Sequence, residues 1–241
     1  MEENVRVISL ASPKSSSHHG CSTPEGEWGR SFRTDNHIFV KELTCADPIQ
    51  PSFDGIDDYI DVPDGPALHA VTTSFTVDAW INPQVPLPPS GQGYSEGFIF
   101  ARRDPLVTEG FSLWINSAGG DGFLAADLGS NAPDLIASAT AVIHYDGKWK
   151  HVAVAADTNT GEVALYLNGE RLELQGSPTV FGQFPDVSHL FIGQRENKDI
   201  GPEYGTQYRR LIDEVELYNR AFSAAEIQAI YSVRTRGKCK P

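Results

Sequence analysis

Arg210-Leu211-Ile212-Asp213-Glu214-Val215-Glu216-Leu217-Tyr218-Asn219-Arg220-Ala221-Phe222-Ser223-Ala224-Ala225-Glu226-Ile227-Gln228-Ala229-Ile230-Tyr231 reads as a strand, a tight turn and a short helix. Strict alternation puts Leu211, Asp213, Val215 and Leu217 on one face of the strand, and Ile212, Glu214 and Glu216 on the other. Ser223 followed three residues later by Glu226 is a capping box. The hydroxyl accepts the N3 amide, and the carboxylate reaches back to the cap amide. Ile227, Ile230 and Tyr231 recur at helical spacing and predict a helix face that docks on a sheet.

Upstream of this segment the chain is a succession of short strands. Tyr59-Ile60-Asp61-Val62 alternates and stops at Pro63. Ser74 to Ile81 puts Phe75, Val77, Ala79 and Ile81 on one face. Residues 84–97, rich in Pro and Gly, read as a loop. Phe98–Ala101, Phe111–Ile115 and Phe123–Ala126 follow as strands, the last after a Gly119-Gly120-Asp121-Gly122 turn. Trp149 to Ala156 is nearly all apolar. Glu162–Leu167 and Glu170–Leu174 flank Asn168-Gly169, two residues that tolerate the positive φ of a tight hairpin. Leu190-Phe191-Ile192 ends at Gly193. Many short strands and one helix predict an all-β, two-sheet antiparallel sandwich rather than a parallel α/β fold. Residues 1–50 read as an irregular or partly disordered segment with one strand within His37–Leu43. The folded unit is expected over 51–233, followed by a tail at 234–241.

Forty per cent of the 241 residues are hydrophobic and 21% charged, enough apolar surface for a core without metals or cross-links. A net charge of −13 argues against nucleic acid as a partner, since phosphates need a basic face. No apolar run is long enough to predict a membrane span. The first residues lack the basic start and apolar stretch of a signal peptide. Cys21, Cys45 and Cys239 fit either one disulfide with a leftover thiol or three free thiols.

Four stretches carry a family resemblance. Phe53-Asp54-Gly55-Ile56-Asp57-Asp58-Tyr59-Ile60 resembles the opening strand of LamG-like (concanavalin A-like) jellyroll domains. Phe75 to Pro83 is similar to their second signature, Gly147 to Glu170 to their central hairpin, and Ile212 to Ile227 to their closing strand and helix. The resemblance implies a jellyroll of two face-to-face sheets. It also implies a recognition module for carbohydrate or extracellular protein, working outside the cell or at its surface, and often one unit of a larger multidomain protein. One fold hosts many functions, so two alternatives stand beside this reading: a glycan-acting hydrolase, and a structural or adhesive spacer.

Hydrolases with this jellyroll carry Glu-x-Asp-x(-x)-Glu on one strand, placing an acid and a nucleophile about the scissile bond. The nearest match here is Asp213-Glu214-Val215-Glu216. By alternation Asp213 shares its face with Leu211 and Val215, and no third carboxylate joins Glu214 and Glu216. The expectation is a non-enzyme with no catalytic residues. The resemblance also implies calcium, at either of two places. The family's first and last strands are neighbours, which would bring Asp54 toward Asp213. Ile192-Gly193-Gln194-Arg195-Glu196-Asn197 resembles the pentraxin calcium loop, so Glu196 and Asn197 would be ligands, with Asp104 near another ligand position and Arg195 replacing an acid. For stacking on sugar rings, Tyr94, Trp114 and Tyr145 are candidates because they lie in or near loops, whereas Trp80 and Trp149 read as core.

Overall fold

The computed structural model describes residues 6–10, 37–38, 52–56, 58–84, 95–103, 110–128, 135–157, 159–176, 189–195 and 207–237. Its elements are β1 (Arg6–Leu10), β2 (His37–Ile38), β3 (Ser52–Asp54), β4 (Tyr59–Val62), α1 (Pro66–His69), β5 (Ser74–Asn82), β6 (Ser95–Arg103) and β7 (Gly110–Ser117). There follow β8 (Phe123–Asp127), β9 (Leu135–Ser138), β10 (Lys150–Asp157), β11 (Glu162–Leu167), β12 (Glu170–Arg171), β13 (Leu174–Gln175), β14 (Leu190–Ile192), β15 (Arg209–Tyr218) and α2 (Ala224–Gly237). Among the described residues one sheet runs β1-β15-β5-β10-β11-β12, with β3 also paired to β15. The other runs β13-β9-β8-β7-β6-β14-β4-β2. All neighbours are antiparallel except β2 and β4. The expected all-β antiparallel jellyroll sandwich with a C-terminal helix is therefore the observed architecture, with the single turn α1 in addition. Two short strands of the first fifty residues, β1 and β2, contribute one to each sheet.

The core forms because each strand turns one parity inward. Phe75, Val77, Ala79 and Ile81 of β5, with Val152, Val154 and Ala156 of β10, face Phe111, Leu113 and Ile115 of β7 and Leu124 and Ala126 of β8. At its centre the Phe75 and Phe111 rings stack at 4.2 Å, and Phe100 meets Phe111 edge-on at 5.7 Å. Between β11 and β12, Asn168 and Gly169 take φ of 51° and 81°, as a tight hairpin requires. Gly169 has a second reason to be glycine: a Cβ there would lie 2.6 Å from Gln228 Oε1 on α2.

α2 covers the outer face of the first sheet. Ser223 and Glu226 form the expected cap: Ser223 N–H donates to Glu226 Oε2 (2.9 Å) and Glu226 N–H to Ser223 Oγ (3.4 Å). Ile227 is buried in a small cluster with Ala153, Ala155, Ala164, Tyr166, Tyr218 and Phe222, and Ile230 packs against it. Burying one such isoleucine contributes about 1.5–3 kcal/mol. Tyr231 stacks on Trp80 at 5.8 Å, so Trp80 is buried beneath the helix rather than between the sheets.

Two sequence expectations change. Strand β6 begins at Ser95, inside the stretch read as a loop to residue 97, because Gly97 is flanked by residues that pair with β7. More consequential is a β-bulge in β15 between Asp213 and Glu216, where Glu214 takes a φ of 54°. The extra residue reverses the parity. Asp213 lies opposite Trp80 and Glu216 opposite Asp78, on the helix-covered outer face, while Val215 and Leu217 join the core. Asp213 is thus not on the face of Val215 and Leu217, as strict alternation placed it.

Candidate functional site

The outer face of the second sheet is built from the other parity of its strands. Inward residues Leu113, Ile115, Leu124 and Ile136 leave Ser112, Trp114 and Asn116 of β7, Phe123, Ala125 and Asp127 of β8, and Ala137 of β9 facing outward. β13 adds Gln175, opposite Ala137. Asn116, Ala118, Phe123, Ala137, Gln175 and Gly176 line a groove of about 460 Å³ on this face. Phe123 and Asn116 are directly opposite one another, so their Cβ atoms stand about 5 Å apart. Both are partly exposed.

Local hydrogen bonds hold the rim. Ser117 Oγ donates to Gly120 O (2.8 Å) and accepts from Gly119 N–H (3.3 Å), closing the turn that carries Ala118. Gln175 Nε2 donates to Ser138 O (3.2 Å), which fixes that amide against β9. Ser138 Oγ in turn donates to Thr140 O and accepts from Leu124 N–H. Beside the groove on the same face, Trp114, Phe98, Ala101 and Ala125 form a packed cluster that Ala137 touches. A flat ring, two amides and small side chains at one opening can take the C–H face of a sugar and its hydroxyls together. Among the described residues, the groups whose ionisation the fold clearly displaces are Asp146, Asp157, Tyr166, Tyr208 and Glu226, and none of these lines the groove.

The residues expected from sequence fall as follows. Trp114 lies on this face, only 5% exposed, stacked on Phe98 at 5.2 Å. Its Nε1 has no hydrogen-bond partner among the described residues. Tyr145 is half-buried against the core edge, its hydroxyl 3.3 Å from where a Cβ on Gly122 would stand. Tyr94, Asp104, Glu196 and Asn197 lie outside the described residues, as do Cys21, Cys45 and Cys239. Asp54 is a turn residue: its Oδ1 accepts Ile56 N–H (2.8 Å), and its own N–H donates to Asp58 Oδ2 (3.0 Å).

Asp54 pairs with Arg209, and Asp213 sits four residues further along β15, roughly 13 Å away at strand rise. Asp213 is buried, with Oδ1 accepting Glu214 N–H at 2.9 Å. The two carboxylates are not brought together, and this pair does not fit a calcium ion. Among the described residues no three His, Cys, Asp or Glu side chains are grouped to hold a metal. The acids of β15 instead belong to a sealed polar layer under α2. There the Tyr218 hydroxyl donates to Glu216, and His151 Nε2 stands 3.5 Å from Asp78 Oδ1, both side chains fully buried.

Asn116, Phe123 and Gln175 were not singled out from sequence. The signal for Phe123 was parity: in Phe123-Leu124-Ala125-Ala126-Asp127 the inward positions are Leu124 and Ala126, so an aromatic stands on the outward side. Gln175 had no local signal, because pairing with β9 alone brings it to the groove.

The molecule is thus a two-sheet jellyroll sandwich with a lined groove on the outer face of one sheet. Residues 54–228 match the concanavalin A-like lectin/glucanases superfamily, and the chain belongs to that family. No curated protein sequence matches it. Among solved structures it is similar to a native heptameric SAP-like pentraxin from Limulus polyphemus, at 17% identity and TM-score 0.52, covering 70% of this chain and 73% of that one. Another is the IT-sialidase CBM40 of Ruminococcus gnavus bound to alpha2,3 sialyllactose, at 15% identity and TM-score 0.54, covering 76% and 95%. A third is domain 4 of an extracellular arabinanase from Geobacillus stearothermophilus in complex with arabinotriose, at 20% identity and TM-score 0.50, covering 75% of each. At these identities the likeness is one of fold. No helix among the described residues is long and apolar enough to cross a membrane.

Proposed function

We propose that this domain is a non-catalytic recognition module that holds a carbohydrate in the groove of the second sheet. The observation that carries the proposal is the lining: the Phe123 ring opposite Asn116, with Gln175 across the opening, in about 460 Å³. That volume sits toward the low end of the ~300–1,000 Å³ of ligand pockets and suits a short saccharide segment. Membership of a lectin and glucanase superfamily supports the reading, as do similar folds seen with arabinotriose and sialyllactose. A binding rather than hydrolytic role is supported by the position of Asp78, Asp213 and Glu216. All three are buried under α2 on the other sheet and do not flank the groove. Glycans of this kind are met outside the cell or at its surface, where such a module serves as one unit of a larger protein.

A glycan array probed with the full chain and with Phe123→Ala tests the proposal. Saccharide signals in the parent that disappear in the folded variant are expected. An array without signal, or signals that Phe123→Ala leaves intact, would reject it.

A further inference from the structure

We infer that the groove recognises an extended oligosaccharide segment of about three sugar units, lying across the strands, rather than a single sugar. This deepens the glycan-binding reading and rests on it. The registers set the polar and aromatic groups of the lining well apart. Asn116 on β7 is directly opposite Phe123 on β8. Two residues further along β8, Ala125 is opposite Ala137 on β9, and Ala137 is opposite Gln175 on β13. The lining therefore crosses four strands obliquely. With strands ~4.8 Å apart and a rise of ~3.4 Å per residue, the backbones of Phe123 and Gln175 stand about 12 Å apart, and those of Asn116 and Gln175 about 16 Å. An extended chain of pyranose rings advances by about one strand spacing per ring, so the span takes about three rings.

The two ends of the groove serve different units. The Phe123 ring takes the C–H face of one unit, and the Asn116 amide beside it takes that unit's hydroxyls. Gln175 is too distant from the ring to touch the same unit, and meets one further along the chain. Its Nε2 donates to Ser138 O at 3.2 Å, which fixes the amide at that place. The amide carries a second N–H and an acceptor oxygen with which to engage a hydroxyl. Gln175 is exposed. Between the two ends stands Ala137, partly exposed and with a single methyl for a side chain, so the floor is low where the middle unit passes. Contacts this far apart reinforce one another only when one ligand reaches both, so affinity rises with ligand length.

The test is calorimetry with linear mono- to hexasaccharides of glucose, xylose, arabinose, galactose and mannose, on the parent, Phe123→Ala and Gln175→Ala chains. In a series that binds, the trisaccharide is expected to bind about three- to tenfold more tightly than the disaccharide, and the tetrasaccharide within about twofold of the trisaccharide. Gln175→Ala should bring the trisaccharide to the level of the disaccharide and leave the disaccharide unchanged. Phe123→Ala should remove binding at every length. A disaccharide held as tightly as the trisaccharide, or a step between them that Gln175→Ala leaves in place, overturns this inference. The groove reading then stands if Phe123→Ala removes the binding. Silence in every linear series, with other glycans giving signals on the array, overturns the inference equally. A parent chain without signal on the whole array removes the underlying reading as well.

Discussion

Replacing Glu226 by Gln tests whether α2 is an integral layer of the sandwich, locked at its first turn. The carboxylate is held from three sides. Arg220 Nη2 donates to Oε1 at 2.6 Å, and Ser223 donates both its backbone N–H and its hydroxyl to Oε2 at 2.9 Å. These contacts, the Arg220 hydrogen bond first and the Ser223 N–H next, pull the carboxyl from 4.5 to about 2. A displacement of that size would be worth about 3 kcal/mol for a shielded group. The Glu226 side chain is 42% exposed, so solvent screening reduces the expected contribution to about 1 kcal/mol.

The sign follows from the direction of the displacement. The folded carboxyl is more acidic than the unfolded one, so its stabilisation is complete above the unfolded value. It is lost as pH falls toward the folded value. Parent and Glu226→Gln should therefore differ by about 1 kcal/mol at about pH 7, a melting difference of roughly 2–4 °C for a domain of this size. The gap should shrink to about half or less near pH 3. Urea unfolding followed by tryptophan fluorescence is a suitable assay, because Trp80 lies against Tyr231 of α2. An equal gap at both pH values, or none at neutral pH, would refute the reasoning.

Thr76 is fully buried, and its Oγ1 donates to Arg220 O and accepts from Phe222 N–H, both at 2.8 Å. Thr76→Val keeps the shape and strands both backbone groups, for an expected loss of about 2–4 kcal/mol that Thr76→Ser largely restores in urea titrations. Gly193 has a φ of 86°, and a Cβ there would lie 2.4 Å from the Phe53 ring. Gly193→Ala should cost about 2–4 kcal/mol, with Phe53→Leu in the same chain recovering the steric part but not the backbone strain. Phe111→Ala, which removes the ring stacked on Phe75, should cost about 3–5 kcal/mol by the same measurement.

Local patterns carried much of the fold. The Ser223–Glu226 spacing announced the start of α2. The Asn168-Gly169 pair announced the hairpin whose register sets Tyr166 opposite Arg171 and Leu167 opposite Glu170. The bulge in β15 was hidden because a period of two cannot register one inserted residue; only pairing with β5 shows that Glu214 is the extra one. That single residue separates Asp213 from Val215 and Leu217, while the register that sets Asp54 opposite Arg209 keeps Asp213 away from Asp54. The site was less legible for a related reason. Its lining comes from four segments, and the two residues of β13 acquire meaning only beside β9. Proximity to a loop pointed to Trp114, but its neighbour across the strand is Phe98, and the two rings close on each other. Outward parity next to small neighbours is a better guide, and it leads from Trp114 to Asn116 and Phe123.

The most direct test of the groove as the binding site is amide chemical-shift mapping of the isotopically labelled chain, titrated with the strongest-binding glycan from the array. The account predicts saturable shifts centred on Asn116, Ala118, Phe123, Ala137, Gln175 and Gly176. Shifts gathered instead around Asp54 and Arg209, or along α2, with those six amides unmoved, would contradict it.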